Sequence, residues 1–152
     1  MAMHTWFECK IRYEKVMENG MQKKVTEPYL VDALSFTEAE ARIIEEMTPF
    51  ISGEFTVSDI KRANYSELFP SDEESADRWF KCKLIFITLD EKSGAEKKTS
   101  TQVLVQAADL RDAVKKLDEG MKGTMADYQI GMVSETPLMD VYPYSLSLIH
   151  IS

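Results

Sequence analysis

Histidine is all but missing from this chain, and a large part of enzyme chemistry goes with it. His4 and His150 are the only two in 152 residues, one near each end. A general base or metal cluster built on imidazole therefore has almost nothing to work with. The phosphate-cradling G-x-x-x-x-G-K-[ST], the zinc-binding H-E-x-x-H and the nucleophile elbow G-x-S-x-G are all absent. No apolar run approaches the ~18 residues needed to span a bilayer. Met1-Ala2-Met3-His4 is too short and polar to start a secretory signal. A cytoplasmic protein without a membrane segment is expected. An excess of positive charge is lacking too. The formal net charge is −8, which repels polyphosphate overall and disfavours non-specific DNA binding. The acidity is uneven: residues 1–76 hold 8 basic and 15 acidic side chains, and residues 77–152 hold 10 and 11.

What the chain does have, it has twice. Trp6-Phe7-Glu8-Cys9-Lys10 returns as Trp79-Phe80-Lys81-Cys82-Lys83, and these contain the only two tryptophans and two cysteines. Lys23-Lys24 answers Lys97-Lys98, Leu30-Val31 answers Leu104-Val105, and Phe69-Pro70 answers Tyr142-Pro143. The spacing is 73 residues from Trp6 to Trp79, 74 from Gly20 to Gly94, and 73 again after Met47 and Met121. It changes only where turns are expected, where an extra residue costs least.

Each copy reads as strand, turn, strand, helix, strand. Phe7, Cys9, Ile11 and Tyr13 alternate with charged residues, the period of a half-buried strand, and Phe80, Cys82, Leu84 and Phe86 repeat the pattern. Glu18-Asn19-Gly20 and Lys92-Ser93-Gly94 supply turn residues that tolerate positive φ, so each first strand folds back as a hairpin. Ser35-x-x-Glu38 has capping-box spacing, with Phe36, Ala39, Ile43, Ile44 and Met47 as the apolar stripe behind it. Asp109 caps the second helix, whose stripe is Leu110, Ala113, Val114, Leu117 and Met121. Gly120-Met121-Lys122-Gly123-Thr124 follows that helix instead of opening one, so it ends a helix and does not cradle a phosphate.

The expected fold is α+β: tandem strand-strand-helix-strand units in a pseudo-two-fold antiparallel sheet assembly with two helices. Residues 5–70 form the first unit, 71–77 an acidic connector and 78–144 the second unit. A unit of about 70 residues buries only a marginal core by itself, so both repeats are expected to form one domain with a shared core. The tail Leu146–Ser152 (LSLIHIS) reads like translated sequencing-library adapter, and it is set aside with its His150.

Cys9 and Cys82, at matching core-facing strand positions, read as small buried hydrophobes. The carboxylates Glu45-Glu46 and Asp72-Glu73-Glu74 are adjacent in sequence and do not converge on one site. No catalytic residue, cofactor or metal is expected. Two surfaces remain. The outward side of the second copy's first strand turns apolar at Ile85, Ile87 and Leu89, where the first copy has Arg12 and Glu14. Such a stripe suits a protein partner or a second copy of the chain. Trp6, Lys10, Trp79 and Lys83 pair aromatic rings with cations, as single-stranded nucleic acid would require.

Three segments carry a resemblance: T-W-F-E-C-K-I-R-Y at Thr5–Tyr13, V-D-A-L-S-F-T-E-A-E-A-R-I at Val31–Ile43 and M-D-V-Y-P-Y at Met139–Tyr144. They resemble an uncharacterised bacterial family, domain of unknown function 4494. The resemblance implies a cytoplasmic bacterial or phage protein of about this length, with no activity or site residues to transfer. The functional expectation is a non-catalytic protein-binding or adaptor module. The alternative is a single-stranded nucleic-acid-binding protein.

Overall fold

The computed structural model describes residues 5–124 and 127–143. Along the chain run β1 (Trp6–Val16), β2 (Gln22–Asp32), α1 (Phe36–Met47), β3 (Phe55–Ala63), β4 (Glu67–Phe69), β5 (Arg78–Leu89), β6 (Glu96–Ala107), α2 (Leu110–Gly120), β7 (Tyr128–Glu135) and β8 (Asp140–Tyr142). The protein is α+β, with two helices and two four-stranded sheets among the described residues. His4, Tyr144 and the tail Leu146–Ser152 lie outside the described residues.

Local chemistry sets most of these elements. In the first hairpin Gly20 takes φ +81°, and in the second Gly94 takes φ +71°, a region costly for any residue with a Cβ. In the second turn Asp90 holds the chain by accepting from the Lys92 N–H at 3.0 Å and the Ser93 hydroxyl at 3.1 Å. Both helices start as their sequences indicate. The Ser35 Oγ accepts from the Glu38 N–H at 3.1 Å, and the Asp109 carboxylate from the Asp112 N–H at 2.8 Å. The returning bond goes one residue further back than a capping box requires. Glu38 reaches the N–H of Leu34 at 3.4 Å and Asp112 that of Ala108 at 2.9 Å, ahead of the cap in both helices.

The described residues fold into two compact units, one holding residues up to 64 together with those from 137 onward and the other those between 65 and 136. In the first, the strand order is β3-β1-β2-β8. β1 pairs antiparallel with β2 and β3, and β8 runs parallel to β2 at Tyr29–Val31. In the second, the order is β4-β6-β5-β7, with β4 parallel to β6 at Val103–Val105. Both sheets are thus mixed, where the sequence indicated antiparallel pairing throughout.

The boundaries differ from those of the sequence repeats. β4, which ends the first repeat, lies in the second sheet, and β8, which ends the second repeat, lies in the first. The chain crosses after Asn64 and returns after Thr136. Matching hydrogen bonds pin the two exchanged strands: Ser66 N–H donates to the Gln102 carbonyl at 2.8 Å, and Met139 N–H to the Pro28 carbonyl at 2.9 Å. The acidic segment 71–77 is likewise docked. Ser71 N–H donates to Gln106 at 2.9 Å, Lys116 reaches Ser71 at 3.0 Å and Glu73 at 3.1 Å, and Ala76 is buried.

Each unit has its own helix-side core. Phe7, Cys9, Ile11, Val31, Ala33, Ala39, Ile43 and Met47 fill the first. Cys82, Leu84, Val103, Val105 and Leu117 fill one cluster of the second, and Phe80, Ala107 and Ala113 another. Burial of each large side chain stabilises by about 1.5–3 kcal/mol. The first position of each helical stripe stays outside: Phe36 is 48% and Leu110 51% exposed. Phe36 instead meets the edge of Phe7 at 4.9 Å between ring centroids, with the Arg62 guanidinium over both rings.

Two outcomes follow from the exchange. Residues 1–76 expressed alone lack β8 and leave β4 without a sheet. They are expected to give no cooperative monomeric melt by circular dichroism and light scattering; such a melt would show that β8 is dispensable. Gly120, the last residue of α2, has Phe69 ring carbons 2.8 Å from where a Cβ would sit. Gly120→Ala, which in an open helix gains up to about 1 kcal/mol, is expected to destabilise by about 1–2 kcal/mol in urea unfolding because β4 must move.

Candidate functional site

In both units the repeat's first strand is central, so its outward side chains lie at the middle of the sheet face opposite the helix. Each central strand also meets a bulge at the same place. Lys10 pairs with Asp59 and Ile11 with Val57, leaving Ser58 extra; Lys83 pairs with Met132 and Leu84 with Ile130, leaving Gly131 extra. Bulges bend a strand and re-aim the neighbouring side chains. Lys10 and Lys83, both half-buried, flank these two bulges. The Ser58 hydroxyl donates to the Lys10 carbonyl at 3.3 Å. At Gly131 an added Cβ would lie 2.8 Å from the Ile85 Cδ1, so Ile85 occupies the space a side chain would need. Neither bulge is legible in the sequence, because the repeat spacing is the same on both sides of it.

The tryptophans are not stacking platforms. Trp6 is 1% exposed and Trp79 4% exposed, so neither indole offers an open ring face to a base. Their burial removes the aromatic faces from the set Trp6, Lys10, Trp79 and Lys83 that the sequence offered to single strands. Trp6 and Lys10 belong to the first unit, Trp79 and Lys83 to the second. Trp79 serves as an anchor through its backbone, its carbonyl accepting from the Thr136 N–H and hydroxyl, both at 2.8 Å.

The apolar stripe is accessible. Ile85 and Ile87 are half-buried on β5, Leu89 is 69% exposed, and Met132 of β7 is 44% exposed. Ile85, Ile87 and Leu89 point away from the α2 side by strand alternation from Leu84, and Met132 reaches the same face because the extra Gly131 reverses the alternation from Ile130. Lys98 lies opposite Ile87 and Ser100 opposite Ile85, giving the patch a polar flank. The corresponding face of the first unit carries Arg12 and Glu14, with Lys24 across from Glu14.

A polar cluster on the helix side of the first unit went unrecognised in the sequence. Glu27 accepts from the Tyr13 hydroxyl at 2.7 Å and from that of Tyr29 at 3.5 Å, and Lys15 pairs with it at 3.5 Å. The Tyr142 ring of β8 stacks on Tyr29 with centroids 6.2 Å apart. Burial, then the Glu27 charge, pushes the Tyr29 phenol up to about 12. Burial and the bond to Glu27 also raise that of Tyr13, and burial and the Asp140 charge that of Tyr142. The signal was available, since Tyr13, Glu27 and Tyr29 sit on alternating positions of neighbouring strands, but their pairing depends on register.

Both thiols are free and buried. Desolvation, the largest cause in each case, lifts Cys9 to about 12 and Cys82 to about 11 from an ordinary 9.0, with Glu8 and Asp59 adding to the effect at Cys9. No cluster of three or more His, Cys, Asp or Glu able to hold a metal occurs among the described residues. No helix among them is long and apolar enough to cross a membrane.

The architecture defines an α+β protein of two units, each a mixed four-stranded sheet with one helix, that exchange their last strands. The chain belongs to the family described as Domain of unknown function (DUF4494), whose family model matches residues 5–144. No curated protein and no solved structure matches it.

The buried acids set an alkaline limit on stability. A thiol or phenol whose pKa rises on folding leaves stability intact while both states are protonated, below the ordinary thiol value of 9.0. Above it the unfolded chain ionises first, so stability falls as pH climbs from 9.0 toward about 12. Urea midpoints should be level up to about pH 8.5 and decline above it. Thiol-reactive dye at pH 8 should label Cys9 and Cys82 only after unfolding; rapid labelling of the native protein would contradict their burial.

Proposed function

We propose that this protein is a non-catalytic protein-binding or adaptor module of the bacterial cytoplasm, and that the outer face of β5 is its contact surface. One observation carries this: half-buried Ile85 and Ile87 and exposed Leu89 share the outer face of β5 with exposed Met132 of the neighbouring β7, where the first unit has Arg12 and Glu14 for the two isoleucines. Partly exposed apolar side chains along one strand, flanked by Lys98 and Ser100, have the composition of a contact patch with a polar edge. Two buried free thiols suit a reducing compartment. The nucleic-acid alternative has less support, because its ring faces are buried and only the half-buried lysines remain to attract a phosphate backbone.

The test is the pair Ile87→Glu and Leu89→Glu in the full chain. Both positions are at least partly exposed, so the fold should tolerate the change, with thermal midpoints close to wild type. Each variant is expected to weaken self-association in light scattering, or capture of a partner from host lysate, by tenfold or more. Unchanged assembly and capture in both variants would refute the assignment of this face. Saturable, salt-sensitive quenching of tryptophan fluorescence by a single-stranded oligonucleotide would favour the alternative instead.

A further inference from the structure

The two sheets share strand order and register, yet they fill one region of the helix side differently. In the first unit that region holds Tyr13, Glu27, Tyr29 and Tyr142. Ile11 pairs with Glu27 and Cys9 with Tyr29; in the second unit Leu84 pairs with Thr101 and Cys82 with Val103. The positions are therefore structurally equivalent. Phe86 stands for Tyr13, Thr101 for Glu27, Val103 for Tyr29, Phe69 for Tyr142, and Gly120 on the helix for Glu46. Each replacement removes atoms. All five residues line a cavity of about 260 Å³ under the end of α2, completed by Leu84, Met121, Ser66, Glu67 and Thr124. The space is what the first unit fills with phenol, carboxylate and longer side chains.

The polar atoms on the β4 and β6 side of this cavity favour a hydrogen-bond donor. The Thr101 hydroxyl donates to the Ser66 Oγ at 2.8 Å, and the Ser66 hydroxyl donates to the Gln102 carbonyl at 3.2 Å. Both hydroxyl protons are thus used within the protein, so this pair offers a guest acceptor lone pairs, while the exposed Thr124 hydroxyl at the opposite rim can donate or accept. The remaining ionisable wall group is the Glu67 carboxylate, also an acceptor, at the exposed rim. None of the lining residues is basic. An anion would meet an unopposed carboxylate, whereas an ammonium could donate to Glu67 and to the Thr101 oxygen. Phe69, Leu84, Phe86, Val103 and Met121 supply an apolar wall for the rest of the molecule. The volume lies just under the roughly 300–1,000 Å³ of sites for drug-sized ligands, which limits the guest to about one ring.

We infer that the second unit binds a small primary amine carrying a single aromatic or branched aliphatic group. The apolar group packs between β4, β5 and β6, and the ammonium sits at Glu67 and Thr101. This goes beyond the contact face proposed above, since the cavity lies on the helix side and the stripe on the opposite side of the sheet.

The test is a titration of the isotope-labelled full chain with phenethylamine, followed in ¹H–¹⁵N correlation spectra, with 2-phenylethanol and 3-phenylpropionate as neutral and anionic controls. The amine is expected to give saturable shifts at Ser66–Phe69, Thr101–Val103 and Gly120–Thr124, with a dissociation constant on the order of 1 mM or tighter. Glu67→Gln, at an exposed position, is expected to weaken the amine about tenfold and leave the alcohol unchanged. Val103→Tyr, which restores the first unit's side chain, should abolish the shifts. Equal binding of the alcohol or the acid would overturn the amine assignment. No saturable shift with any of the three up to about 10 mM would overturn the site. Should Val103→Tyr fail to fold, the Glu67→Gln comparison decides alone.

Discussion

Two strands of three residues each hold this architecture together. β8 covers the Tyr29–Val31 edge of one sheet and β4 the Val103–Val105 edge of the other, and each comes from the opposite repeat. A strand edge exposes N–H and C=O groups that must be paired or solvated. Next to the buried Val31 and Val105, pairing is the favourable solution. The partner of β2 lies more than 100 residues away in the chain, but closing a longer loop adds cost only logarithmically. The exchange is reinforced by side chains: Tyr142 stacks on Tyr29, and Phe69 packs against Gly120 in space that a larger residue would take. Once β4 is placed, segment 71–77 has little freedom, and Ser71, Glu73 and Lys116 lock it to α2.

On this common frame the two units differ in surface while sharing backbone detail. The bulges at Ser58 and Gly131 occupy equivalent places, and so do the hairpin glycines and the carboxylates that reach ahead of the helix caps. The side chains around each bulge differ. In the second unit Ile85 lies over a glycine, bringing an apolar side chain close to the sheet, while the first unit has Arg12 beside a serine. On the helix side the difference runs the other way. The first unit is packed with hydrogen-bonded tyrosines, and the second is trimmed to Phe, Thr, Val and Gly around a cavity. A repeat with one scaffold can in this way present an apolar outer face and a polar-mouthed pocket from the same unit. The other unit carries Arg12 and Glu14 on its outer face and fills the equivalent region with Tyr13, Glu27, Tyr29 and Tyr142.

The strands, helices and caps could be read directly from the residues. Phe7-x-Cys9-x-Ile11 and Phe80-x-Cys82-x-Leu84 alternate at the period of a strand, and their buried side is the one that alternation assigns. Ser35 and Asp109 cap because a short polar side chain at that position satisfies an otherwise free N–H. The apolar stripe on β5 was visible as a departure from alternation at Ile85 and Ile87. The burial of Trp6 and Trp79 was not, since an aromatic at a strand start reads equally as a core rim or as an exposed platform.

By itself the sequence determined the α+β class, the order of elements, the turns, the helix starts and the residues available for a core. These depend on dihedral preferences and on side-chain period within ten or so neighbours. The tertiary structure alone decided which sheet receives β4 and β8, that they run parallel, where the bulges fall and which trimmed side chains surround the same cavity. A three-residue strand is too short to carry a pattern of its own, and its partner is chosen by long-range hydrogen bonding and packing that no local window contains.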